Sequence, residues 1–96
     1  MSASSLIVND ILNYTGTVST TDWYVGIATD VEQRLFTDHK VSKDYDRWIY
    51  RKATSEQEAR DTEQYLLTHY KFKGSGGGGE RPTYVYAYKR TRATLY

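Results

Sequence analysis

The sequence contains no cysteine. That excludes a disulfide scaffold, a thiolate zinc site and a cysteine nucleophile together. It holds a single proline, and no apolar run approaches the ~18 residues that read as a membrane-spanning helix, so no membrane association is expected. Net charge is scarce too, with 13 Lys and Arg against 12 Asp and Glu. A protein that coats nucleic acid by charge alone needs a larger basic excess. The opening MSASSLIVND has neither the basic region nor the long apolar stretch of a secretory signal, so the expected location is cytoplasmic. Tyrosine is abundant, ten residues in all. It joins apolar area to a polar tip, which suits half-buried sheet faces and contact surfaces. The length fits one domain over residues 1–96, since a domain usually takes ~100–200 residues. Without covalent staples such a domain depends on its hydrophobic core.

Along the chain, Leu6, Ile7, Ile11 and Leu12 give a helical stripe from Ser5 to Tyr14, with Gly16 as a stop. Trp23 to Ile27 is rich in β-formers and predicts a buried strand. Thr29 and Glu32 have capping-box spacing, and the helix they open should run to about Asp38, burying Val31 and Leu35. Trp48 to Arg51 predicts a second strand after a polar loop at Val41 to Asp46. Ser55 and Glu58 form another capping box before a helix that reaches about Tyr70. Its core stripe is Ala59, Thr62, Leu66 and Tyr70, with Glu63 among them. Gly74 to Gly79 is a glycine-rich loop. Thr83 to Arg90 is the third strand, with Tyr84, Tyr86, Tyr88 and Arg90 on one face and Val85, Ala87 and Lys89 on the other. The expected fold is therefore α/β (α+β): a small mixed or antiparallel sheet of about three strands flanked by about three helices.

Charge is divided along the chain. Residues 1–69 carry seven basic and eleven acidic side chains, and residues 70–96 carry six basic and one acidic. The basic set, Lys71, Lys73, Arg81, Lys89, Arg90 and Arg92, suits phosphate. With Gly76 and Gly77 it would make a cradle of backbone amides flanked by cations. On this expectation the tyrosine face of the last strand, ending in Arg90, is open to a ligand.

Tyr24-Val25-Gly26, then Asp30, Arg34-Leu35 and His39, with Ala59 and Glu63 four apart on a later helix, resembles the YIG half of the GIY-YIG endonucleases. The resemblance covers residues 22–69. His39 follows Arg34 by five residues where the family has four, and no Gly-Ile-Tyr strand precedes Tyr24. Tyr84-Val85-Tyr86 has the composition of that strand. If it pairs with the Tyr24 strand, the chain is a permuted form of the same sheet, with Tyr86 in the place of the family's first tyrosine.

The resemblance implies chemistry on phosphodiesters. Arg34 would hold nonbridging oxygens, because a guanidinium fork matches phosphate. Glu63 would be the carboxylate ligand of Mg²⁺ or Mn²⁺ that keeps most of its waters. Tyr24 or Tyr86 would position or deprotonate water, assisted by His39. Gly26 and the loop glycines would approach the ligand. A carboxylate on a packed face needs a partner, since burying even a neutral polar group costs ~2–7 kcal/mol; Arg34 or a metal would serve. The alternative is a noncatalytic module on the same fold that binds nucleotide, nucleic acid or protein. A third expectation is a homo-oligomer joined through the tyrosine-rich strand.

Overall fold

The computed structural model describes residues 3–74 and 81–94. Helix α1 spans Ser5–Thr15; Ser4 Oγ caps it by accepting from the Ile7 N–H, and Gly16, at φ 78°, takes the left-handed turn that ends it. A 3₁₀ turn at Thr20–Asp22 leads into strand β1, Trp23–Ala28. Strand β2 is Trp48–Lys52, helix α2 is Glu56–His69 and strand β3 is Tyr84–Lys89. The expected fold class holds: a three-stranded antiparallel sheet with about three helices.

The strand order is β1-β3-β2, so the last strand in sequence is the central one. It runs antiparallel to both neighbours, with Tyr86 opposite Gly26 on one side and Tyr50 on the other. The expected pairing of the C-terminal strand with the Tyr24 strand is thus present. Both edges of β3 are used, so it has no free edge to offer a second chain. The outer edge of β1 is covered by Phe72–Gly74, where the Val25 N–H donates to the Lys73 carbonyl at 2.8 Å.

Strand alternation divides the core into two layers. On one face Val25, Ile27, Ile49, Val85 and Ala87 pack against Ile7, Val8 and Ile11 of α1 and against Ala59 and Leu66 of α2. On the other, Tyr24, Tyr86 and Tyr88 pack under Val31, Leu35 and Val41. The tyrosine face is therefore covered rather than open: Tyr86 and Tyr88 are about 1 % and 0 % exposed. Burying three aromatic side chains is worth more than leaving them in water, at ~1.5–3 kcal/mol each.

The segment that covers them differs from the expected α-helix. Asp30, rather than Thr29, caps it, its Oδ1 accepting from the Gln33 N–H. Gln33–Asp38 is a π-helix, and the His39 N–H donates to the Arg34 carbonyl five residues back at 3.0 Å. The second capping box is half formed. Ser55 Oγ accepts from Glu58 N–H, but Glu58 Oε1 reaches past Ser55 to accept from the Thr54 N–H at 2.8 Å.

Among the described residues no helix is long and apolar enough to cross a membrane.

Candidate functional site

Four of the residues singled out by sequence converge on the covered tyrosine face: Tyr24 from β1, Arg34 and His39 from the π-helical segment, and Tyr86 from β3. A π-helical turn takes one residue more than an α-helical turn. Its hydrogen bond from His39 to Arg34 brings position i+5 over position i. The five-residue spacing thus sets Arg34 and His39 above the same tyrosines.

His39 is buried, 4 % exposed. Its Nε2 is 2.8 Å from Tyr86 Oη and its Nδ1 is 3.1 Å from Tyr88 Oη. The Tyr24 ring lies 4.8 Å from the imidazole, centroid to centroid, and stacks on Tyr88 at 5.2 Å. A histidine at a helix end often does little more than meet the helix dipole; here it is the centre of a polar cluster. In the sequence Tyr88 reads only as packing or ligand surface. Its signal is the two-residue step from Tyr86, which puts both hydroxyls on one face.

Arg34 joins the cluster from the surface. Its charge acts on the Tyr86 hydroxyl, and it pairs with Asp38 at 3.3 Å. Burial pushes the Tyr86 hydroxyl well above its ordinary pKa, and Tyr24 adds to this, while the Arg34 charge partly opposes it. Burial and Tyr24 likewise raise Tyr88, with Arg90 opposing. Both phenols therefore stay protonated near neutral pH.

Gly26 gives the cluster room. A methyl group there would collide with the Tyr86 hydroxyl and Cζ. The close approach expected of a ligand to this glycine is made by a tyrosine of the same chain.

Glu63 is buried as expected, 4 % exposed, within the α2 stripe. Its expected partner is not Arg34, which stands on the opposite face of the sheet and pairs with Asp38; the cation that acts on it is Arg60 on its own helix. Arg60 is itself held by Glu56 at 2.9 Å. Burial pushes the Glu63 carboxyl up to about 7, against a smaller pull from Arg60. Among the described residues its carboxyl makes no ion pair, and no cluster of three or more metal-ligating side chains is formed.

The basic residues do not form one face. Arg90 N–H donates to the Asp22 carbonyl and its Nη1 to the Thr21 carbonyl. Lys89 lies opposite Trp23, and Lys73 beside Tyr24. Lys71 follows Tyr70, whose carbonyl accepts from Thr20 Oγ1. Arg81 stands apart, just before Thr83, which bonds to Ala28 at the other end of β1. Gly76 and Gly77, expected in the phosphate cradle, lie outside the described residues.

Compared with known proteins, the chain matches no family model, and no curated protein or solved structure matches it at a significant level.

Proposed function

We propose that the chain is a permuted domain of the GIY-YIG type that acts on phosphodiester ligands, nucleic acid or nucleotide. The observation that carries this reading is the pairing of Tyr86 with Gly26. It brings a tyrosine from the end of the chain beside Tyr24, His39 and Arg34, all within one cluster.

In this reading Arg34, the cluster's cation at the surface, holds phosphate oxygens in place of Asp38. Tyr86 takes a proton from water as it yields its own to His39. Glu63 would supply one hard oxygen ligand for Mg²⁺ or Mn²⁺ that keeps most of its waters. It lies, however, in the α2 stripe with Ala59 and Leu66, across the sheet from the tyrosine cluster, so the metal part of this reading is its weakest. The Glu63 carboxyl must first lose a proton, and with a value near 7 that occurs at ordinary pH.

The burial of Tyr24, Tyr86 and His39 favours a second reading, a noncatalytic module that holds phosphodiesters on Arg34 and the basic residues near Thr21. One experiment separates them. Labelled DNA, RNA and cyclic dinucleotides are incubated with Mg²⁺ or Mn²⁺ and scored for both binding and cleavage. Metal-dependent cleavage that falls at least ~10²-fold in Arg34→Ala and Glu63→Gln is the expected result. Binding without cleavage selects the noncatalytic module, and neither one overturns both.

A further inference from the structure

We infer that the outer edge of strand β2 is a docking edge for an extended acidic segment of another protein, which adds to the sheet as a fourth strand. This goes beyond the phosphodiester reading and does not depend on it.

The strand pairing defines the edge. The Lys89 N–H donates to the Arg47 carbonyl, and the Ala53 N–H to the Thr83 carbonyl. Antiparallel alternation then turns the N–H and C=O groups of Ile49 and Arg51 toward β3, and those of Trp48, Tyr50 and Lys52 outward. Strand β3 is paired on both sides, and β1 is covered by Phe72–Gly74. Among the described residues no backbone group pairs with the outer side of β2. Such a row of donors and acceptors is a template for another strand. A groove of about 420 Å³ opens beside it, lined by Tyr14 of α1 and by Trp48, Ile49, Tyr50 and Arg51.

Charge selects the occupant. Arg47, Arg51 and Lys52 are exposed along this strand. The acidic residues nearby are already engaged. Asp10 pairs with Arg51 at 3.0 Å, Asp46 accepts from the Ser42 N–H at 2.7 Å, and Glu32 accepts from Tyr50 Oη at 3.5 Å. Arg51 shows what the edge accepts. Its Nε holds the Asp10 carboxylate, while its Nη1 donates to the outward Tyr50 carbonyl at 2.8 Å. A guanidinium has five N–H donors. A peptide carboxylate can therefore join Asp10 there and draw Nη1 away, as a peptide N–H takes its place on the Tyr50 carbonyl. A second copy of the chain would lay the same cations against this edge, and like charges across a strand pair are destabilising. A phosphodiester backbone presents acceptors only and cannot continue the ladder.

The faces set the pattern of the segment. Arg47, Ile49 and Arg51 point to the α1 side, and Trp48, Tyr50 and Lys52 to the tyrosine side. A segment with carboxylates opposite Arg47 and Arg51, and an aliphatic residue between them opposite Ile49, complements all three.

The test titrates a blocked peptide, Thr-Glu-Thr-Val-Thr-Glu-Thr, into the nitrogen-labelled full chain. The expected result is saturable binding in which the amides of Trp48, Tyr50 and Lys52 shift and become slow to exchange. Replacing both glutamates by lysine should weaken binding by at least ~10-fold. Proline in place of the two threonines that flank valine removes ladder donors and should abolish it. Arg51→Glu should reverse the preference between the glutamate and lysine peptides. If that variant does not fold, the peptide controls on the wild-type chain decide. Absence of protection at the three amides, or equal binding of the lysine peptide, overturns the inference. So does protection that grows with protein concentration without peptide, which assigns the edge to a second copy. Displacement of the peptide by an equal concentration of single-stranded oligonucleotide assigns the surface to nucleic acid and overturns it too.

Discussion

A buried carboxylate on a packed helix face is costly to this fold. Burial raises Glu63 from 4.5 to about 7, so the folded state keeps a proton that the unfolded chain has released. Stability should therefore fall as pH rises from about 4.5 to about 7, and level off above. The full penalty is on the order of 3 kcal/mol, since each tenfold change in proton affinity is worth ~1.4 kcal/mol. Glu63→Gln should recover much of that above pH 7 and gain little at pH 4.5. Urea melts at pH 5 and pH 8 would show it; equal gains at both would place the cost elsewhere. The need for a partner was legible in the sequence, since Glu63 falls among Ala59, Thr62 and Leu66. The identity of its neighbours was not, because Arg60 lies on the same helix and Arg34 stands on the opposite face of the sheet. Gly26 shows a similar limit. Its occurrence after Tyr-Val marks it, yet only the register with β3 shows that it makes room for Tyr86. Gly26→Ala should cost ~1–3 kcal/mol by overpacking. The loss should shrink in a Tyr86→Ala background, which removes the obstructing ring; strictly additive losses in the double mutant would contradict that.

At the level of elements, the segment over the tyrosines explains why the spacing to His39 is one residue long. The sequence predicts Val31 and Leu35 to be buried, and they are, because a four-residue step serves an α-helix and the start of this segment alike. The π-helical turn was not legible from periodicity. It was signalled only by His39 standing five residues from Arg34. Removing one exposed residue, Thr37, should restore α-helical spacing and leave histidine four residues from Arg34, on the same face. That deletion should keep the fold, with Tm lowered by less than about 10 °C, a shift of roughly 1–2 kcal/mol for a domain this size. It should also keep the imidazole bonded to Tyr86 by NMR. Collapse of the fold would show that the extra residue is required structurally. Strands tolerate no such change, since a one-residue shift in β3 would exchange Tyr86 for Val85 on the covered face.

For the molecule as a whole, the basic third of the sequence was legible as a composition but not as a surface. Strand β3 separates its members: Lys71, Lys73, Lys89 and Arg90 gather near Thr20–Tyr24, while Arg81 lies beyond the other end. Six residues of antiparallel strand span ~17 Å, more than the ~10 Å over which exposed charges act together at 0.1 M salt. A short single-stranded oligonucleotide should therefore use one end only. With two or three phosphates neutralised, the log–log salt slope should be about −1.5 to −2. Removing exposed Lys89 should flatten it by about 0.7, and Arg81→Ala should not change it. A steeper slope, about −3.5 with all five cations engaged, would mean that both ends bind together.

The position of β3 also bears on how the chain is made. Of the three strands it leaves the ribosome last, and β1 and β2 do not pair with each other. No strand–strand hydrogen bond of the sheet can form until Tyr84 to Lys89 is available. Among the described residues no two consecutive strands form a hairpin by direct pairing at a tight turn, and each pairing must close a long loop: from Ala28 to Tyr84 on one side, from Lys52 to Tyr84 on the other. Until then Tyr24 and His39 lie on a nascent chain with nothing to cover them, and the aromatic surface that becomes the interior is open to chaperones.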